Sequence, residues 1–178
     1  MKKYMKKAFL AGGVLAGLCG VMAVAIVGAD FLTRDTIAAN NLAKENAGLR
    51  KVYGDSYTYS EAVSVSDSNY SYVEKYWTVT DGNAVIGRVY RGSGRNGYGE
   101  VTLLYGINAD FTLAMVVTIT NTESYGTTLK ENYLDPLASA EDKDAAVQQV
   151  KCGATEGAKL CRAIILDGQR HYKDGGSN

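Results

Sequence analysis

The sequence predicts an α+β protein in which a single N-terminal transmembrane helix precedes an extracytoplasmic domain, built from an antiparallel sheet with flanking helices. Three observations predict it: a long charge-free run near the N-terminus, a central series of strand-like segments joined by tight turns, and helix-like patterns in the last third. With 178 residues, 46% of them hydrophobic, the chain has room for one membrane segment and one domain. A second, catalytic domain does not fit.

Residues 8–29 contain no charged residue, and a helix needs about 20 apolar residues to cross a bilayer. This run is the predicted transmembrane helix. The basic segment 1–7 before it is expected to stay in the cytoplasm. The chain that follows the transmembrane helix is therefore expected to lie on the extracytoplasmic side of the cell membrane. The four positive charges of this segment are those of Lys2, Lys3, Lys6 and Lys7. A cleaved signal peptide, with Val27-Gly28-Ala29 as its processing site, is the alternative.

The charge balance excludes one class of partner. Because four of the 19 basic residues precede residue 8, the remainder carries 15 basic against 19 acidic residues. A mildly acidic domain of this kind is not expected to bind nucleic acid.

Residues 30–52 are predicted to form a helical connector, because 33–52 is rich in Ala, Asn, Lys and Glu and places four apolar residues roughly on one side: Ile37, Leu42, Leu49 and Val52. The domain proper is expected to span residues 53–178. Its first part, 53–72, is heavy in Ser, Tyr and Asp and shows no sustained periodicity.

A β-meander is predicted next, because short apolar segments alternate with turn signals. A turn at Asp81-Gly82 separates the first two strands, a glycine-rich loop the second and third, and a turn at 108–110 the last two. The predicted strands are 75–80, 84–91, 100–107 and 111–120.

Helices are predicted at 128–134, stopped by Pro136, at 141–150, and at 156–172. The last helix is amphipathic, and its expected buried face consists of Leu160, Cys161, Ile164, Ile165 and Gly168.

Residues 92–97 satisfy the dinucleotide-binding pattern GxGxxG. That pattern must open a helix so that a pyrophosphate meets the helix N-terminus. Here a strand is predicted to follow, so a nicotinamide site is not expected.

The segment Cys152-Gly153-Ala154-Thr155 offers a threonine hydroxyl between small residues, just before the last predicted helix. Backbone N–H groups at the start of that helix would point toward the hydroxyl and suit an attached phosphate. The alternative is that Thr155 is only the N-cap of the helix, a role worth about 1 kcal/mol.

This segment resembles the S/T-G-A-T attachment motif of the FMN-binding subunits of Rnf-type ferredoxin:NAD oxidoreductases and of Na+-pumping NADH:quinone reductases. Residues 97–107 are similar to the glycine-tyrosine-glycine strand of that family, and 120–126 resemble its "ETPG" loop. Residues 32–38 resemble the start of the helix that follows the anchor in the Rnf subunits. The sequence departs from the family pattern at Gln149, Cys152 and Tyr125, where the family has an acidic residue, Ser or Thr, and Pro.

The resemblance implies that a flavin transferase attaches FMN through a phosphoester to Thr155. It also implies an electron-transfer subunit of an ion-translocating complex in the membrane, with other subunits and lipid as partners and no complete active site on this chain. Cys152, Gly153 and Ala154 would complete the attachment segment. The candidate contacts of the flavin ring are Gly97, Tyr98, Gly99, Glu123, Ser124 and Gly126.

Two alternatives stay open: a membrane-anchored extracytoplasmic binding or scaffold domain without redox chemistry, and an FMN-domain reductase outside the Rnf complex. Cys152 and Cys161 are expected to be free thiols, and the spacing of the potential ligands does not predict a metal site. His171 is expected to have a surface role.

Overall fold

The computed structural model describes residues 12–13, 15–23, 28 and 43–175. The chain divides into two compact units, 1–43 and 44–178. In the first unit the described residues are helical, and the side chains of Leu15, Leu18 and Val21 are exposed. Within the described ranges, no helix has both the length and the apolar character that crossing a bilayer requires. Much of the predicted span 8–29, and the connector up to residue 42, lie outside the described residues.

The second unit is an α+β domain around an antiparallel sheet, so this part of the predicted fold class is confirmed. The strand order is β1-β3-β4-β5-β6, and β2 also pairs with β3. The strands are β1 (Thr58–Tyr59), β2 (Val63–Ser64), β3 (Val73–Asp81), β4 (Ala84–Asn96), β5 (Gly99–Asn108) and β6 (Leu113–Asn121).

The predicted meander is present, with one error. Asp81 pairs with Ala84 across the predicted turn, but residues 92–96 belong to β4 rather than to a glycine-rich loop. These glycines let the last helix approach the sheet. A Cβ on Gly92 would lie 2.6 Å from Ile164 Cγ2, and one on Gly94 would lie 2.7 Å from Leu160 Cδ1. Only residues 97 and 98 remain to connect β4 to β5.

The helices of this unit are α1 (44–53), α2 (Gly126–Leu129), a π-helical turn (Lys130–Leu134), α3 (Asp135–Ser139), α4 (Lys143–Ala146) and α5 (Thr155–Lys173).

The prediction that Pro136 stops a helix is wrong. Helical structure continues through Pro136 to Ser139, because the π-helical turn ends at Leu134 and places the proline in the first turn of α3. A missing N–H is tolerated at that position. The predicted helix 141–150 is shorter than expected, since α4 covers only Lys143–Ala146, with Asp142 as its N-cap.

Helices cover both faces of the sheet. On one face, α5 packs on Tyr90, Leu103 and Tyr105, and the whole predicted face of this helix is buried. On the other, Leu49 and Val52 of α1 pack with a second cluster that includes Trp77, Val79, Val89, Leu104 and Ile119. Because both faces are covered, β5 is buried along almost its whole length.

Candidate functional site

Thr155 is the first residue of α5, and Ala154, with φ −117°, occupies the N-cap position without any side-chain cap. The alternative prediction that Thr155 is the N-cap is therefore wrong. The threonine side chain is partly exposed, and in the described part of the chain its hydroxyl has no hydrogen-bond partner. The first N–H groups of an uncapped helix carry partial positive charge. A free hydroxyl and an electropositive helix end thus meet at one residue.

The turn before α5 explains the small residues of the motif. Gly153 has φ +84°, in the left-handed region that glycine adopts readily, and Ala154 is buried. The carbonyl of Cys152 accepts a hydrogen bond from Asn132 Nδ2 at 3.2 Å, which ties the turn to the π-helical segment. The motif therefore fixes the direction in which the chain enters α5.

The β4–β5 turn and the loop after β6 are held together beside this helix end. The carbonyl oxygen of Tyr98 accepts from Ser124 N at 2.9 Å and from Ser124 Oγ at 3.1 Å. Asn96 Oδ1 accepts from Tyr98 N at 2.7 Å and from Gly99 N at 3.1 Å. The two predicted ring-contact segments, far apart in sequence, thus form one continuous wall.

Glu123 is the buried carboxylate of this wall, with 8% of its surface exposed. Asn96 Nδ2 donates to its Oε1 at 2.6 Å. The carboxylate lies close to the first turn of α5, since a Cβ on Gly157 would be 3.1 Å from Glu123 Cδ. The positive end of a helix stabilises a carboxylate in this position. Burial, and then the charge of Glu123, raise the pKa of the Cys161 thiol to about 12.

These elements enclose a cavity of about 150 Å³. Five of the predicted site residues line it, together with three that the sequence motifs did not indicate. The predicted ones are Tyr98, Glu123, Gly153, Ala154 and Thr155, and the additional ones are Tyr125, Glu156 and Gly157.

The other predicted site residues do not line the cavity. Gly97 is exposed at the β4–β5 turn, while Ser124 supports the wall through its bonds to Tyr98. Gly99 lies against the loop that follows β6, and a Cβ on this residue would come within 2.4 Å of the carbonyl oxygen of Thr122. Gly126 begins α2, and Cys152 precedes the turn. Tyr125 was missed because the family pattern has a proline there.

A larger cavity of about 790 Å³ lies between the π-helical turn, α3 and the segment 145–151. Its walls include the buried Tyr133 and Leu137 and the exposed Gln149. Thr155 is not part of it. Size alone does not make it the functional site, because no charged side chain is buried within its walls.

The prediction of a surface role for His171 is wrong, because its side chain is buried, with Nδ1 lying 3.0 Å from the Tyr90 hydroxyl. Burial, and then the positive charge of Arg88, lower the pKa of this histidine. The Arg88 guanidinium carbon lies 4.6 Å from the ring centroids of both Tyr76 and Tyr172. This cluster belongs to the packing between α5 and the sheet.

The second unit is an α+β domain whose Thr155 hydroxyl, without a hydrogen-bond partner among the described residues, lies at an uncapped helix N-terminus beside two exposed tyrosines. No model of a known protein family matches the chain. A search of curated proteins likewise finds no match.

Proposed function

We propose that this chain is a covalent flavoprotein subunit of a membrane ion-translocating ferredoxin:NAD oxidoreductase of the Rnf type, with FMN attached through a phosphoester to Thr155. One observation carries the proposal: the cavity brings the Gly153-Ala154-Thr155 turn together with Tyr98 and Glu123. The sequence motif and the two loops that resemble the family thus meet in one place.

The chemistry of attachment suits this threonine. In the transferase, Thr155 Oγ1 would bond to the phosphorus of the FMN half of a flavin dinucleotide, the phosphoanhydride bond of that donor would break, and a nucleoside monophosphate and the hydroxyl proton would leave. The threonine oxygen must therefore be reachable and not committed to the fold. The partial exposure of Thr155 and its lack of a hydrogen-bond partner among the described residues meet both requirements. The uncapped N–H groups of α5 would then donate to phosphate oxygens.

The residues around Thr155 fit the phosphate group of FMN rather than its ring. A cavity of about 150 Å³ is smaller than the 300–1,000 Å³ typical of ligand pockets, and it suits a phosphate group better than an isoalloxazine ring. The wall also contains the carboxylate of Glu123. Its negative charge opposes that of the phosphate, and the positive end of α5, about half an elementary charge, offsets only part of this repulsion.

Bound FMN supplies one-electron transfer, and the protein supplies position, solvent exclusion and electrostatics. The wall that contains Asn96, Tyr98 and Glu123 is held by hydrogen bonds within the β4–β5 turn and between this turn and the loop after β6. A fixed wall of this kind keeps neighbouring charges and dipoles constant as the redox state changes. No acid–base pair on this chain is needed for such a role.

The membrane assignment is supported by the sequence. The charge-free run 8–29 follows a basic segment, and the described part of this run exposes Leu15, Leu18 and Val21. Exposed apolar side chains of this kind suit a helix that faces lipid. The proposed partners are therefore lipid, the other subunits of the complex, and a flavin transferase during maturation.

The test is the intact mass of the protein purified from membranes of its native host, combined with flavin fluorescence of the denatured band in a gel. We expect wild type to carry the mass of one FMN less one water, and Thr155→Ala to carry none. Thr155→Ser keeps a hydroxyl and should keep the flavin. Thr127→Ala is the matched control, because Thr127 is exposed near the start of another helix.

Two other results would point to the alternatives. An unmodified, colourless wild type would support the scaffold domain and contradict the proposal. A flavinylated protein that purifies without partner subunits would support a reductase outside the Rnf complex. Gln149→Asp restores the acidic residue of the family pattern at an exposed position, so a faster modification of that variant would show that the transferase contacts this segment.

A further inference from the structure

Two exposed tyrosine rings stand at the mouth of the Thr155 cavity. Tyr98 is 49% exposed and Tyr125 is 57% exposed. Their ring centroids lie 6.3 Å apart with an interplanar angle of 61°, an edge-to-face pair. Among the described residues neither phenol hydroxyl has a hydrogen-bond partner. Both rings line the cavity that contains Thr155.

The backbone beneath both rings is firmly held. Tyr98 is bonded through its carbonyl to Ser124, and through its N–H to Asn96. Tyr125 comes next after Ser124, and its carbonyl accepts from Leu129 N at 2.8 Å in the first turn of α2. A side chain on such a support keeps its position without packing into the core. The exposure of these rings is therefore built into the fold.

Large aromatic surface left in water at a cavity mouth is typical of a ligand-binding surface. The two rings contact each other, and each remains about half exposed, so a planar aromatic ring would cover the exposed surface of Tyr125 beside Tyr98. The cavity behind them, lined by Thr155 and the start of α5, has the size for a phosphate, and the uncapped N–H groups of α5 supply hydrogen-bond donors for it. The phosphate and the ring of one ligand would thus meet different surfaces.

We propose that Tyr125, supported by Tyr98, is a stacking surface for the isoalloxazine ring of flavin attached at Thr155. The proposal rests on the proposed function and adds a residue that the family pattern does not supply, since Tyr125 stands where that pattern has proline. A stacked phenol quenches the fluorescence of a flavin, so the contact has its own optical signature.

The first test measures flavin fluorescence of the full-length flavinylated protein in detergent, normalised to flavin content by absorbance after denaturation. We expect Tyr125→Leu to raise the fluorescence of the folded protein several-fold and Tyr98→Leu to raise it less. Tyr125→Phe should also raise it, because a benzene ring can still stack on the flavin but lacks the oxidisable phenol. All variants should converge in denaturant. Tyr57→Leu is the matched control, because Tyr57 forms a similar edge-to-face pair with Tyr53 away from the cavity.

The second test does not depend on covalent attachment. The Thr155→Ala protein is titrated with lumiflavin, which has the ring without the ribityl phosphate, and the fluorescence is followed. We expect saturable quenching that becomes about tenfold weaker when Tyr125→Leu is added, a loss typical of one aromatic stacking contact. Adding Tyr57→Leu instead should leave the binding unchanged.

The outcomes separate the two proposals. Flavin present on Thr155 with equal fluorescence in wild type and Tyr125→Leu would overturn the stacking surface and leave the proposed function intact. Absence of covalent flavin with Tyr125-dependent lumiflavin binding would overturn the proposed function and keep the stacking surface. Absence of both would overturn both.

Discussion

Asn96 Nδ2 donates a hydrogen bond to Glu123 Oε1 at 2.6 Å, and this contact joins the end of β4 to the loop after β6. The same asparagine accepts from the N–H groups of Tyr98 and Gly99 through its Oδ1. One amide thus uses its donor for the carboxylate and its acceptor for the turn. The wall of the Thr155 cavity depends on both ends of this side chain.

The contribution of this hydrogen bond can be tested by exchanging the acid and the amide of the two side chains. Asn96→Asp keeps the acceptor for the turn but sets a carboxylate against Glu123, so we expect a loss of about 2 kcal/mol in the free energy of unfolding. Glu123→Gln in the same chain supplies the missing donor and should recover most of that loss. Urea unfolding of the two single variants and the double variant measures the coupling. Strictly additive effects would show that the two side chains do not interact.

Gly153→Ala tests whether the motif glycine is needed for its backbone conformation. At φ +84° a Cβ costs about 1–2 kcal/mol, so the variant should unfold at lower denaturant concentration. Gly153 stands two residues before Thr155, the proposed attachment residue, so slower flavin attachment is also expected. Gly97→Ala is the control, because a Cβ there would meet no atom within 4 Å and its φ is not in the left-handed region. Equal stability of the two variants would contradict this explanation.

The central strands and α5 could be predicted from sequence because their apolar periodicity reflects burial directly. The start of α5 was placed within one residue, at Thr155 rather than at 156. The strand conformation of the glycine-rich stretch 92–96 could not be predicted from such a periodicity. Gly92 and Gly94 have the composition of a loop, and their actual role, close approach by Ile164 and Leu160, depends on residues about 70 positions later in the chain.

The site was predictable only in part. The motif indicated Thr155 and the resemblance indicated the two loops, residues of which line one cavity, but nothing local indicated that Tyr125 would share that cavity with them. The burial of His171 was also hidden, because a histidine near the end of a chain is usually exposed. Its neighbours Tyr76 and Tyr90 come from β3 and β4, which only the folded sheet brings beside the end of α5.

Glu45 on α1 is the main buried charge on the other face of the sheet. Its carboxylate pairs with Lys75 Nζ at 2.6 Å and with Arg91. Glu45→Ala leaves both cations partly buried without this partner, so we expect a loss of about 3 kcal/mol in the free energy of unfolding. The control is Asp55→Ala, which removes the exposed pair with Arg50 and should have no measurable effect. A small effect at Glu45 would mean that α1 is held by its apolar contacts alone.

His171 predicts a pH dependence of stability. Its pKa is lowered from 6.5, chiefly by burial and then by Arg88, while Asp67, Asp167 and Asp174 act in the opposite direction. The unfolded chain therefore binds more protons than the folded chain just below that pH. The contribution of neutral His171 to the free energy of unfolding is therefore fully present above about pH 6.5. It is lost progressively as the pH falls toward the pKa of the histidine in the folded protein.

The measurement is the free energy of urea unfolding between pH 7.5 and 5.5. Because His171 is the only histidine of the chain, His171→Gln should remove most of the slope in this window. The variant is expected to be less stable than wild type at pH 7.5, since the Tyr90 hydroxyl loses its contact with His171 Nδ1. An unchanged slope would assign the pH dependence to carboxylates instead.

The three cysteines provide a probe of the site. All are free, with Cys19 exposed, Cys152 partly exposed and Cys161 buried. Thiolates react with iodoacetamide, and the pKa of Cys161 is raised to about 12 by burial first and then by Glu123. In a Cys19→Ser background at pH 7.5, we expect one label on the folded protein, at Cys152, and two after denaturation.

Peptide mass analysis after timed labelling measures both sites, and Cys152→Ser in the same background should leave the folded protein unlabelled. Labelling of Cys161 at the rate of Cys152 would mean that the packing of α5 opens readily. Protection of both thiols until a reductant is added would instead reveal a disulfide between them. Because Cys152 stands three residues before Thr155, flavin attachment should also slow its labelling, and Thr155→Ala should restore the rate.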